Sequence, residues 1–180
     1  LTDDQLIQAS REGDENAFKQ LIKQYESRVA ATVIGMLGNC PEAEDVGQET
    51  FIRFYNHLDK FRGDASVGTY LTRIAINLSL NELKRRKRKS LVFFRKLSDE
   101  DFDIADESNE TGFDDNKELV QQSIQKLEPK FRSVVVLRLM DGYSTAETAE
   151  ILKLPLGTVL SRLARGQQKL KKILSPYWES

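Results

Sequence analysis

Apolar residues recur at three- and four-residue intervals along most of the chain, and no stretch alternates as a convincing strand. The segment TDDQLIQASREGDENAFKQLIKQYESRVAATVIGML predicts two helices, parted where Gly13 and Asp14 interrupt the pattern. In the second, Phe18, Leu21, Ile22, Tyr25, Val29, Val33 and Leu37 keep helical spacing. GNCPEAEDVGQETFIRFYNHLDKF predicts a third helix, with Ala43, Val46, Thr50, Phe54 and Leu58 as its buried stripe. Pro41 suits the first turn of this helix, and Glu42, Glu44 and Asp45 favour its positive end. RGDAS breaks the chain, and VGTYLTRIAINLSLNELKRRKRK predicts a fourth helix whose core face is Leu71, Ile74, Leu78 and Leu83. LVFF at 91–94 is an apolar island in need of a partner surface.

The helical pattern resumes at Glu118. ELVQQSIQKL ends near Pro129, and EPKFRSVVVLRLMDG predicts a helix with Phe131, Val134, Val135 and Leu139 as core, closed by Gly142. In STAETAEILKL, Ser144 and Glu147 have the spacing of a capping box. PLGTVLSRLARGQQKLKKIL is a last, basic helix. The expected fold is all-α: two small helical domains, residues 1–95 and 118–180, joined by a linker over 96–117.

Charge sharpens that division. The whole chain carries a formal net charge of −1. Residues 1–97 hold sixteen Lys/Arg against thirteen Asp/Glu, whereas residues 98–117 hold nine acids and one base. Residues 118–180 hold ten bases and six acids. Two mildly basic blocks therefore flank a strongly acidic, polar segment without periodicity, which reads as a flexible linker. A near-neutral total does not exclude nucleic-acid binding when charge is segregated in this way. No apolar run approaches the ~20 residues of a membrane helix, so no membrane insertion is expected. The single cysteine, Cys40, excludes an intramolecular disulfide and suits a cytoplasmic protein.

Three faces carry candidate chemistry. The last two helices, with the LKLP turn between them, have the length pattern of a helix-turn-helix. Ile151, Val159 and Leu163 can pack inside, leaving Thr158, Ser161, Arg162 and Arg165 outward for phosphates and base edges; an ordinary amphipathic hairpin with a solvated basic face is the alternative. On the fourth helix Arg73, Asn77, Asn81, Lys84, Arg85 and Arg88 form a polar, mostly basic stripe able to track a phosphate backbone. Tyr70 stands at its start as a stacking surface for an unpaired base or as a core residue. The third face is acidic and partly apolar: Asp45, Gln48, Glu49 and Ile52 share one side of the third helix and suggest a protein partner or a solvated surface. No catalytic constellation stands out. His57 is the only histidine, and no metal-ligand cluster, phosphate loop or nucleophile elbow appears; neither enzyme activity nor a cofactor is expected.

The order AEDVGQETFIRFYNHLDKFRGDASVGTYLTRIAINLSLNELKRR, an acidic linker, then LEPKFRSVVVLRLMDGYSTAETAEILKLPLGTVLSRLARGQQKL resembles a bacterial sigma factor of the extracytoplasmic-function (ECF) group, from about Thr2 to Leu174. The resemblance implies a transcription initiation subunit that binds core RNA polymerase and directs it to promoter DNA, assisting melting. EDVGQE resembles the surface that docks on the beta-prime clamp helices, which assigns Glu44, Asp45, Gln48, Glu49 and Ile52 to polymerase binding. The second domain would meet the beta flap. Arg62, Gly63, Asp64, Ala65 and Ser66, with Tyr70, look like the loop that captures a flipped minus-ten base, and the stripe from Arg73 to Arg88 like its rail. Thr158, Ser161, Arg162 and Arg165 resemble the minus-thirty-five reader. An anti-sigma factor is the regulator that the family implies. Four positions depart from the family pattern: Tyr70 replaces a common Trp, Lys153 a turn Gly, Leu160 a frequent Lys, and Gly47 a larger residue at about 1 kcal/mol in helix propensity. Lys153 is expected to be left-handed.

Overall fold

The structure, a computed structural model, describes residues 1–97 and 116–178. The segment read as a flexible linker lies almost wholly outside the described residues. Among those residues there is no strand, and the elements in order are α1 (Asp3–Arg11), α2 (Glu15–Leu37), α3 (Pro41–Asn56), a 3-10 turn (Leu58–Lys60), α4 (Val67–Leu97), α5 (Asn116–Gln125), α6 (Pro129–Val135), a π-helical turn (Val136–Met140), α7 (Thr145–Leu152) and α8 (Leu156–Trp178).

Local chemistry explains where the helices start. Thr2 and Gln5 form a capping box at α1, and the Asp14 side chain accepts from the Asn16 and Ala17 amides at α2. Each satisfies amide donors that the first helical turn would leave orphaned. Pro41 opens α3 as expected. Helices α1–α4 form a first unit around Leu21, Val29, Val33, Met36, Phe54, Leu71 and Ile76, all fully buried. α4 runs beyond its expected end through the LVFF island, which stays exposed.

The second unit packs α6 across α8. Gly166 sits at their crossing, where a Cβ would lie 2.8 Å from a Val135 methyl. The expected helix over 128–142 is not uniform. The Asp141 amide bonds Val136 O, five residues back, at 2.9 Å. This wider turn rotates later side chains off the 3.6-residue face. Leu139, expected in the core, is therefore 52% exposed.

The two units pack against each other over one continuous apolar core. Their polar contacts converge on the last turn of α2. Gln121 Nε2 donates to Ile34 O at 2.7 Å, Gln125 Nε2 to Gly35 O at 2.8 Å, and Arg132 Nη1 to Met36 O at 2.8 Å. Arg86 of α4 donates to Leu37 O at 3.2 Å. These are the four carbonyls that a helix cannot satisfy with its own amides, although Ile34 O also accepts from the Gly38 amide. α2 has no basic residue in its last turn, so Arg132 and Arg86 bring positive charge to its negative end. Burial pulls the Arg132 guanidinium down to about 10, still charged at neutral pH. Further along, Thr32 Oγ1 donates to Asp141 at 2.8 Å, Tyr143 shares a 2.8 Å hydrogen bond with Thr72, and Arg28 lies 4.9 Å over the Tyr143 ring.

Candidate nucleic-acid and partner interfaces

The loop between the 3-10 turn and α4 is held open from behind. Arg11 donates to Leu58 O at 2.9 Å and also to Phe61 O, pinning both ends of the turn. Gly63 takes a φ of 77°, which a side chain would strain. Ser66 caps α4, its Oγ accepting the Thr69 amide at 3.1 Å. Between this loop and the start of α1 lies a cavity of about 340 Å³, lined by Thr2, Asp3, Asp4, Gly63, Ala65 and Ser66. Its α1 wall was not foreseen, because contact between residues 2–4 and 61–67 leaves no local pattern. Arg62 and Asp64 point outward, exposed.

Tyr70 is half-buried. Its ring lies 5.1 Å from Phe61 and 5.7 Å from Phe54, so part of it braces the loop's anchor. The remaining surface borders a shallow 190 Å³ cavity with Arg53, His57 and Asn77. Along α4, Asn77, Asn81, Lys84 and Arg88 are exposed. Arg73 instead bonds Glu150 of α7 at 3.1 Å. Glu82 grips Arg85 through two hydrogen bonds of 2.7 and 2.8 Å and reaches Arg86 at 3.4 Å. The bond from Arg85, ahead of the charge attraction, holds the Glu82 carboxyl below its usual range. The spacing of Glu82 to its arginines was available in the sequence, since residues three and four apart meet on a helix.

On α3, Glu44, Asp45, Gln48 and Ile52 are exposed, and half-exposed Glu49 pairs with Arg53 at 2.8 Å. Beside them α2 and α3 part over an apolar trough. One section, of about 610 Å³, includes Ile22, Ile34, Gly47 and Phe51. The next, of about 510 Å³, adds Phe18, Ile52 and Tyr55, and shares Ile22, Gln48 and Phe51 with the first. Phe18 and Ile22, which keep helical spacing with Leu21 and Val29, are half-buried at this opening.

At the other end, the capping box at α7 is formed: Glu147 N to Ser144 Oγ at 3.1 Å and Ser144 N to Glu147 Oε2 at 2.7 Å. Lys153 ends α7 in the left-handed region at φ 53°, ψ 49°, and Pro155 precedes α8. Ile151 and Val159 are buried between the two helices. Ser161 and Arg165 are exposed and Thr158 and Arg162 half-exposed; Leu160 is 54% exposed beside them. The four predicted polar residues thus share one end of α8.

Family models match both units. Sigma-70 region 2 matches residues 21–89, and Sigma-70, region 4 matches residues 117–170. The RNA polymerase sigma-H factor of Pseudomonas aeruginosa is 34% identical, over 97% of this chain and 94% of its own. ECF RNA polymerase sigma factor SigW of Bacillus subtilis is also 34% identical, over 93% of this chain and 94% of its own. Among solved structures, CnrH in complex with the cytosolic domain of CnrY aligns with a TM-score of 0.69 at 24% identity, covering 97% of both chains. The sigma factor RpoE of Bartonella quintana, in complex with the anti-sigma factor NepR, aligns at 0.67 and 23% identity over 88% of this chain and 96% of its own. These structural likenesses speak for the fold; the sequence relatives, matched nearly end to end with both sigma regions in order, speak for the kind of protein. The chain belongs to the ECF group of RNA polymerase sigma factors, which direct RNA polymerase to specific promoters.

Proposed function

We propose that this sigma factor works in the cytoplasm as a non-catalytic subunit and assists promoter melting by trapping one unstacked base in the cavity between the Phe61–Val67 loop and α1. That cavity, with the exposed row Asn77, Asn81, Lys84 and Arg88 nearby on α4, is the observation that carries the reading. Unstacking a base costs a few kcal/mol, which capture in a pocket offsets. Glu44, Asp45, Gln48, Glu49 and Ile52 form the docking face for the clamp helices of core polymerase, and Thr158, Ser161, Arg162 and Arg165 read the minus-thirty-five element. The second unit also meets the beta flap.

The test is run-off transcription with purified core polymerase, on an intact duplex promoter and on the same promoter opened beforehand at the minus-ten region. Ala65→Leu fills the cavity. It is expected to lose duplex transcription by about tenfold, the effect of roughly 1.4 kcal/mol, and to keep most of it on the opened template. Full duplex activity in this variant would overturn the base-capture reading.

The docked arrangement is, on this reading, the resting state. The two promoter elements lie about 25 base pairs apart, roughly 85 Å of B-DNA, whereas Arg73 of α4 and Glu150 of α7 touch at 3.1 Å. Undocking therefore accompanies promoter engagement. An anti-sigma partner fits as the agent that holds the units together; the structural relative RpoE was solved with the anti-sigma factor NepR, and CnrH with the cytosolic domain of CnrY.

A further inference from the structure

The outer face of α8 carries an apolar row that the packing of the second unit does not use. Helix α8 (LGTVLSRLARGQQKLKKILSPYW) buries Val159, Gly166 and Leu174 against the rest of the chain. Leu160 follows Val159 by one residue, which turns its side chain about 100° away from that stripe. It is 54% exposed, and Leu156, one turn earlier, is 53% exposed. Ala164, one turn later, is exposed too. Residues four apart on a helix lie one above the other, so Leu156, Leu160 and Ala164 form a row. Beside it runs a second exposed row, Gly157, Ser161 and Arg165. A Cβ at Gly157 would meet nothing within 4 Å, so no described part of the chain covers this position.

Charge and size say what fits these rows. Helix α8 holds five Lys/Arg and no Asp/Glu, which suits a polyanion. Two leucines and an alanine offer far less apolar surface than the roughly 800 Å² per partner of a stable protein interface. In the major groove of DNA, which admits an α-helix, each base pair presents its own pattern of groups, and only thymine adds an apolar one, its 5-methyl. A guanine or cytosine edge opposite Leu160 would instead lose water from a carbonyl or amine that leucine cannot pair. Ser161 and Arg165, in the neighbouring row, supply hydrogen-bonding groups for the polar atoms alongside. Leu160 also stands where the family pattern frequently has Lys, so a contact to phosphate, blind to sequence, gives way to one that can distinguish bases.

We propose that Leu160 is a specificity-determining residue for the minus-thirty-five element: its side chain packs on the 5-methyl group of a thymine in the major groove, so that this sigma factor selects promoters with an A·T pair at that position. The proposal rests on the reading of α8 as the minus-thirty-five helix, and deepens it. Thr158, Ser161, Arg162 and Arg165 hold the helix on the duplex and bond base edges, and Leu160 adds an apolar contact to their polar ones.

The probe is a duplex promoter selected with holoenzyme, reconstituted from the full chain and core polymerase, out of a pool randomised across both promoter elements. Each thymine of its minus-thirty-five element is then replaced in turn by deoxyuridine, which lacks only the 5-methyl group, and run-off transcript is measured at limiting holoenzyme. With the parent, one replacement is expected to lower the transcript about fourfold, the worth of one buried methyl-sized group. With Leu160→Ala the same replacement is expected to change nothing. Leu160→Lys is expected to lose the methyl dependence as well, while its holoenzyme binds duplexes of any sequence more tightly at low salt. Both substitutions fall at an exposed position, and thermal melting checks that the variants fold. Methyl dependence that survives both substitutions overturns the role of Leu160, and so does a parent for which no thymine methyl matters. Arg165→Ala tests the underlying reading separately. Loss of transcript in that variant, with no methyl effect in the parent, keeps α8 as the reader and removes Leu160 alone; full transcript in Arg165→Ala together with no methyl effect removes both.

Discussion

Two residues show how far a single position can be read from the chain. Lys153 stands where the turn of a helix-turn-helix often carries glycine, and it does adopt the left-handed backbone, the only non-glycine positive φ among the described residues. Such a conformation strains a side chain by about 1–2 kcal/mol, partly offset by the greater freedom glycine loses on folding. Lys153→Gly is therefore expected to stabilise the protein by about 1 kcal/mol in urea denaturation; a loss of stability would reveal a contribution from the lysine side chain. Asp141 could not be read in this way, because its partner Thr32 lies 109 positions away. Burial raises its carboxyl from the ordinary 3.8 to about 6, against the opposing pull of the Thr32 hydrogen bond and of Arg28. The folded state then holds a proton that the unfolded state has released, so this group weakens folding above pH 6 and the penalty fades as pH falls from 6 towards 4. Asp141→Asn retains an acceptor for Thr32. It is expected to be more stable than the parent at about pH 7 and to lose that advantage by about pH 4. Lower stability of the variant at neutral pH would mean that attraction to Arg28 outweighs burial.

Helices were legible because amphipathic periodicity is local. Caps at Ser144, the proline start of α3 and the buried stripe of α3 could be read for the same reason. What escaped were changes of register and closures from a distance. The π-helical turn after Val135 rests on five-residue hydrogen bonding, such as Asp141 N to Val136 O, that no periodicity announces, and it moved Leu139 outward. The extension of α4 to Leu97 passes through SLVFF, which has no polar face to mark a helix. The end of α2 depends on side chains from α4, α5 and α6. Arg132 is the strongest of these, since it also donates to Leu127 O at 2.8 Å. Arg132→Met keeps much of the volume but leaves buried carbonyls unpaired, and is expected to cost about 2 kcal/mol in urea denaturation. A neutral result would mean that water replaces the guanidinium at the α2 terminus.

For the whole molecule, the sequence displayed both units and the acidic stretch between them, along with most of the residues now gathered on three faces. Their mutual position was hidden. The ties that dock them join residues 71 to 109 positions apart, and the sequence carries no trace of that distance. The cavity proposed to take a base was half legible: the Arg62–Ser66 loop stood out in the sequence, the α1 wall did not. If docking is the resting state, a donor dye on α4 and an acceptor on α7 will transfer efficiently in the free protein and poorly once core polymerase and a promoter are bound. Unchanged transfer on a transcribing complex would count against undocking.

The capping of α2 by α5 and α6 has a consequence for how the molecule can be taken apart. Either half made alone would display an unfinished surface: carbonyls of Ile34, Gly35 and Met36 on one piece, and the amides of Gln121 and Gln125 with the Arg132 guanidinium on the other. The two surfaces complement each other, acceptors on one and donors on the other. Fragments 1–97 and 116–180, mixed as separate polypeptides, are expected to find each other and reassemble without the peptide between them, detectable as co-elution of the pair; the covalent connection would then serve the opened complex more than the closed one.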